Sequence, residues 1–310
     1  VWFDAPIGYV SNTKKYLEES GSKEDYIKDW WNNKDVQISH FIGKDNIIFH
    51  SIIFPVMGMG TGFMHTVDHL PANQYLNLMG KQFSKSQGWY VDAEKAVQEF
   101  GSDNLRYYLT TLIPESSDSS FTWEGYEARV NNELANNVGN FINRSMSFFH
   151  KNWESGIEQK HFDVFFNSDR HKNLESIIKE YHKALDAFQI KKGLELLMSI
   201  GNEANLYFSD EAPWASFKVD AEKAAGTIAI SAIYSALLGV MFEPYLPNLA
   251  KNIRSYFGPN LEKIKLSIYK GELNSFKELF KGNFALTQKP TGLVKKVESK
   301  RIQELSKEFA

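Results

Sequence analysis

At 310 residues, with 43% hydrophobic and 14% aromatic content, the chain is long enough to bury a sizeable core and to form two or three domains. It contains no cysteine, which excludes disulfides and thiolate metal sites. No run approaches the roughly 18 apolar residues of a membrane span, and the first residues carry no basic-then-apolar signal pattern, so a cytoplasmic protein is expected. With 35 Lys and Arg against 38 Asp and Glu, the net charge of -3 offers no global attraction for nucleic acid, and any such contact has to be local.

Val1-Trp2-Phe3 reads as the end of a buried strand, and Asp4-Ala5-Pro6-Ile7-Gly8-Tyr9 as a strand-to-helix turn. A buried strand needs partners on both sides, so this start is expected to belong to a longer chain. The pattern next predicts a helix over Tyr9 to Glu19 and a short helix over Glu24 to Trp31 with its acids first. Val36 to Ile42 alternates enough to be a strand, ended by Gly43-Lys44-Asp45. Asn46 is expected to cap the following helix, which runs through His50 toward Pro55 and Gly58. Tyr75 to Met79 reads as another short strand. A strand, helix, strand order implies a parallel sheet with ligands beyond the carboxyl ends of its strands, where Asp4-Ala5-Pro6 and Gly43-Lys44-Asp45 lie.

Beyond Asp92 the pattern is helical. Helices are predicted over Ala93 to Glu99, Asp103 to Leu112, Trp123 to Phe149, Asp169 to Leu185, Ile190 to Ser209, Ala221 to Met241 and Leu246 to Phe257. Ala221 to Met241 is apolar almost all round, as expected for the central helix of a bundle. Gly156 to Ser168 and Lys281 to Lys296 read as connections, and Val297 to Phe309 as a last helix. The fold expected is therefore α/β followed by all-α.

Three groups of residues suggest chemistry. Ser84-Lys85-Ser86 sits on a glycine-bounded loop, Gly80 to Gly88, between a strand and a helix; such a flexible cationic arm suits a polyphosphate. Gly43 and Asp45 offer a close-approaching backbone and a carboxylate that can accept hydroxyl hydrogen bonds. Trp2, Tyr9 and His50, taken by themselves, read as ordinary core packing groups. Asn140 and Arg144 lie four apart on one helix face, and Trp214 follows Pro213; an amide, a guanidinium and an indole suit the stacking and reading of an unpaired base.

Taken in order, Trp2 to Tyr9, His40-Phe41-Ile42-Gly43-Lys44-Asp45, Phe49-His50, Phe83-Ser84-Lys85-Ser86, Asn140 to Arg144 and Ala212-Pro213-Trp214 resemble the carboxyl-terminal half of the methionyl-tRNA synthetases, a class I aminoacyl-tRNA synthetase family. The resemblance implies the second half of a Rossmann-type nucleotide-binding sheet over residues 1–80 and a KMSKS-like loop with a stem-contact region over 81–121. It further implies a helical anticodon-binding domain over 122–285 and a linker with a last helix over 286–310. It implies a methionine-tRNA ligase that uses ATP with magnesium. Trp2, Ala5, Pro6, Tyr9 and His50 match the methionine pocket. Gly43, Asp45, Ser84, Lys85 and Ser86 match the ATP site, with Lys85 as the catalytic lysine. Asn140, Arg144, Pro213 and Trp214 match the positions that read a CAU anticodon of tRNA(Met).

The sequence departs from the family pattern at Gln82, where the loop's first lysine is expected, with Lys81 one place earlier, and at Phe83, where methionine is expected. Phe54 stands where some relatives carry tryptophan. The family's HIGH signature and zinc knuckle fall outside these residues, so a missing N-terminal half is the expected partner and the chain alone is expected to be inactive. A non-catalytic tRNA-binding module and a class I synthetase for another apolar amino acid are the alternatives.

Overall fold

The computed structural model describes residues 4–308; the expected strand at Val1 to Phe3, with Trp2, lies outside them. The chain divides into two units, Val1–Leu76 with Pro114–Ser119, and Asn77–Ile113 with Ser120–Ala310.

In the first unit, the segment expected as a turn is already helical, because helix Asp4–Ser20 takes in Asp4, Ala5 and Pro6. Proline is well tolerated there, since the first-turn N–H groups have no intrahelical acceptor. A π-type helix follows at Tyr26–Trp31, with the Asp25 carboxylate accepting from the backbone N–H of Ile27 (2.9 Å) and Lys28 (2.7 Å). Those backbone bonds hold the Asp25 carboxyl below its usual range.

The strand expected over Val36 to Ile42 forms only in part. A parallel bridge joins Ser39 to His69, and Ile42–Gly43 pairs in parallel with Ala72–Asn73. Ile42 N–H donates to the Pro71 carbonyl, but Pro71 has no N–H to return, so the ladder is interrupted there. The two-residue partner at Ala72–Asn73 is too short to show a period in sequence. Asn46 does not act as the expected cap: it ends a 3-10 turn, Lys44–Asn46, that opens from Gly43 without a side-chain cap. The chain continues through a π-type turn at Phe49–Ile53 into helix Phe54–Thr61, closed by Gly62 in the left-handed region. Val10, Trp31, Ile38, Phe54 and Met64 form the core of this unit. Gly58 permits that packing, because a Cβ there would lie 2.0 Å from Met64 Cγ.

The second unit is mostly helical. Helix Ala93–Phe100 is capped by Asp92, and Ser102–Thr111 follows. From Trp123 to Asn152 one continuous helix runs as α (Trp123–Ala128), π (Arg129–Gly139) and α (Asn140–Asn152), with Thr122 as its cap. Helices Asp169–Asp186, Ile190–Glu211, Ala221–Met241 and Pro247–Ser255 agree with the predicted ones within a few residues. Helix Ala221–Met241 is long and apolar enough to cross a membrane, yet 94% of its apolar window is buried by protein. It is the core helix of the bundle.

Two expected connections hold structure. Gly156 to Ser168 contains strand Ile157–Glu158, paired antiparallel with Asn283–Phe284 from the second connection, and helix Gln159–Phe166. Phe162 of that helix stacks on Phe280 at 4.2 Å between ring centroids, so burial of rings from distant segments stabilises an element too short to read by periodicity. Helix Pro259–Tyr269 lies in the helical remainder of the chain, in a stretch with no individually predicted element. The last helix spans Ser299–Glu308. Asn131, within an asparagine-rich stretch, makes a reciprocal pair with the backbone of Val297 at 2.9 and 2.8 Å.

Candidate functional site

In the first unit, Ala5 is exposed and Pro6 buried in the first turn of helix Asp4–Ser20, and Tyr9 stands one turn later. The Tyr9 hydroxyl lies 3.0 Å from His50 Nε2, and His50 Nδ1 lies 3.0 Å from the Asn46 carbonyl. A carbonyl only accepts, so Nδ1 carries the proton, and Nε2 accepts from Tyr9. His50 is 4% exposed, so its imidazole is held in one tautomer within protein. The structure thus joins Tyr9 to His50 across 41 residues.

It adds His40, which stands out in the sequence only as part of the His40-to-Asp45 string. The His40 ring lies 5.6 Å from Tyr9 and 5.3 Å from His50, and Phe54 closes the group at 5.8 Å from His40. Burial, and then the nearby His50, push the His40 pKa down to about 4. It is therefore neutral at physiological pH, and neither ring nitrogen has a hydrogen-bond partner among the described residues. Tyr9, Trp31, Ile38 and His40 line a cavity of about 380 Å³.

Gly43 and Asp45 fold together. The Asp45 carboxylate turns back so closely that a Cβ on Gly43 would lie 2.8 Å from Asp45 Oδ1. Lys44, between them, points to Asp118 (2.9 Å) and lies 4.2 Å from the Tyr75 ring centroid. Asp118 also accepts from Tyr75 N–H at 2.9 Å, and the bond to Lys44, then that to Tyr75, hold its carboxyl below the usual range. This clip anchors the Gly43-Lys44-Asp45 turn, and it joins residues too far apart in sequence to be paired by reading.

In the second unit, Ser84, Lys85 and Ser86 form a tight turn. Ser84 and Trp89 exchange backbone hydrogen bonds at 2.8 and 2.9 Å, and Gly88 N–H donates to Lys85 O at 3.2 Å. Gly88 adopts φ 71°, which a glycine tolerates without strain. The Trp89 indole N–H ties the turn to Leu78 O at 2.9 Å. Lys81 is held over the Trp89 ring at 4.5 Å, whereas Lys85 is exposed.

On the long helix, Asn140 and Arg144 are both exposed on one face. The Arg144 guanidinium lies 5.0 Å from the Trp214 ring and 5.3 Å from Phe208, whose own rings are 5.5 Å apart. The backbone explains this contact. Ala212 takes φ 40° and ψ 62° between helix Ile190–Glu211 and the short Pro213–Ser216 turn, reversing the chain so that Trp214 folds back on Phe208. Pro213 is buried at the start of that turn. Arg144, Ser147, Phe148, Lys151, Phe208 and Trp214 line a groove of about 380 Å³. Phe148 and Lys151 follow Arg144 by four and seven residues, a spacing that could have marked them. No group of three or more His, Asp and Glu side chains able to hold a metal occurs among the described residues.

Residues 1–146 match the family described as tRNA synthetases class I (M), and residues 167–310 match the anticodon binding domain of methionyl tRNA ligase. The methionine-tRNA ligase of Salinibacter ruber is 36% identical over 272 residues, which cover 86% of this chain and 38% of the relative. That of Porphyromonas gingivalis is 38% identical over 249 residues, covering 80% and 36%. The chain therefore spans less than two fifths of the length of these relatives. The crystal structure of Mycobacterium tuberculosis methionyl-tRNA synthetase bound by methionyl-adenylate aligns with a TM-score of 0.76 at 23% identity, over 95% of this chain and 55% of that one. This likeness establishes the class I synthetase fold. A synthetase for another apolar amino acid and a non-catalytic tRNA-binding module are not favoured by these matches.

Proposed function

We propose, from the premise that this chain belongs to the methionyl-tRNA synthetase family, that it carries part of the active site and the anticodon reader of a methionine-tRNA ligase. In this reading the enzyme joins methionine to ATP, giving methionyl-adenylate and pyrophosphate, and transfers the methionyl group to tRNA(Met) in the cytoplasm. Residues 1–80 contribute to the catalytic domain, 81–121 the loop and stem-contact region, 122–285 the anticodon-binding domain and 286–310 the linker and last helix. Its partner in this reading is an N-terminal half of the same enzyme, in keeping with a chain that spans 38% of the Salinibacter ruber relative.

Trp2, Ala5, Pro6, Tyr9 and His50 hold methionine, whose thioether suits a pocket of rings with one polar tip. Gly43 and Asp45 receive the ATP ribose. Ser84, Lys85 and Ser86 act on the phosphates, with Lys85 stabilising the charge that develops as pyrophosphate leaves. Magnesium enters with ATP as part of the substrate. Positioning and charge stabilisation suffice for attack of a carboxylate on the α-phosphate, with no general base needed.

Asn140, Arg144, Pro213 and Trp214 read the CAU anticodon. The observation that supports this best is the Arg144 guanidinium held beside two aromatic rings at the edge of an open groove. There an indole face can stack an unpaired base while planar N–H donors meet its edge. The test is titration with a CAU anticodon stem-loop and a base-changed control. Selective binding that Trp214→Ala weakens by about 1–3 kcal/mol supports the reading. Equal binding of both RNAs by the folded chain refutes it.

A further inference from the structure

We infer that Lys151 neutralises the RNA backbone phosphate of a base that stacks on Trp214. The inference deepens the proposed anticodon reading and rests on it. Arg144 and Lys151 share helix Asn140–Asn152 and line one groove, seven residues apart. Seven residues are close to two turns, or about 10 Å of axial rise, so both point to the same side.

The two cations differ in how they are held. Arg144 lies within 5.3 Å of the ring centroids of both Phe208 and Trp214, which fixes its planar fork and leaves donors for a base edge. Lys151 is exposed, and no ion pair or hydrogen bond ties its ammonium to any described residue. Lys160 and Lys223, by contrast, lie 3.1 and 3.3 Å from the carboxylates of Glu222 and Glu211. No acidic side chain lines the groove itself.

A hydrated point charge on a flexible stem suits a phosphate and discriminates poorly among base edges. A ring-clamped guanidinium has the opposite character. In a chain of net charge -3, a local unpaired cation beside the stacking face is also what attraction of an RNA loop requires. The helix terminus alone also favours a cation at this position, so the decisive evidence is binding.

The full chain and its Lys151→Gln variant should be titrated with the CAU stem-loop and the base-changed control over a range of salt. The expected result is the same fold-loss of affinity on both RNAs, with the slope of log K against log[salt] shallower by about 0.7–1, while Lys151→Arg retains the slope. An unchanged slope, or a changed preference between the RNAs, overturns the phosphate role. If the unaltered chain binds both RNAs alike but Lys151→Gln still flattens the slope, the anticodon reading fails and the phosphate contact stands. Absence of binding by the folded chain overturns both.

Discussion

The Tyr9 hydroxyl donates to His50 Nε2 because the Asn46 carbonyl, 3.0 Å from the other ring nitrogen, holds the imidazole proton on Nδ1. Nitrogen-15 NMR of the neutral imidazole is expected to show the Nδ1–H tautomer. Tyr9→Phe should keep that tautomer while lowering stability by about 0.5–1.5 kcal/mol, the usual net worth of one hydrogen bond. Detection of the Nε2–H form would refute the assignment.

The His40 ring, beside that pair, makes the first unit sensitive to acid. Its folded pKa, about 4, lies below its ordinary value of 6.5, so the unfolded chain binds the proton first as pH falls. The neutral ring's contribution is fully present above pH 6.5 and is lost progressively down to about pH 4. Urea unfolding across that window should show a steeper loss of stability for the unaltered chain than for His40→Phe. Parallel curves would refute the buried neutral state.

Gly43 is expected to act through Asp45. A Cβ at Gly43 collides with the carboxylate, so Gly43→Ala should weaken ATP binding about as much as Asp45→Asn. The double substitution should cost little more than either one, because both disturb the same contact. Additive losses in equilibrium ATP binding would show that Gly43 acts independently.

The two lysines of the loop should separate kinetically. Lys85→Ala is expected to slow adenylate formation by about 10²–10³, the cost of removing one group that stabilises developing charge. Lys81 is engaged with the Trp89 ring, so Lys81→Ala should cost less than about tenfold. Pre-steady-state formation of methionyl-adenylate by the chain joined to the N-terminal half distinguishes them, and equal effects would assign Lys81 to the phosphates as well.

Two helical glycines should respond with opposite signs. A Cβ on Gly193 would lie 2.3 Å from the Tyr245 hydroxyl and 3.0 Å from Leu185 Cδ2, so Gly193→Ala should destabilise by about 1–3 kcal/mol. Nothing lies within 4 Å of a Cβ on Gly226, inside helix Ala221–Met241, so Gly226→Ala should stabilise by about 0.5–1 kcal/mol. Thermal denaturation of both variants checks the pair.

Read in order along the chain, the short strings from Trp2 to Trp214 are enough to identify the family, and the 3.6-residue period is enough to locate most long helices. Both signals are local: a motif is a run of neighbours, and an amphipathic or wholly apolar helix advertises itself within its own length. The same locality explains what escaped. Pro71 interrupts the Val36 to Ile42 pairing from a segment about thirty residues away, and helix Gln159–Phe166 depends on Phe280 more than a hundred residues on. His40 meets His50, Lys44 meets Asp118, and Phe208 meets Trp214 through the left-handed turn at Ala212, none of which a local preference encodes. Folding chose these neighbours because burying rings and pairing charges is decided by which distant surfaces the chain's path brings within a few ångströms.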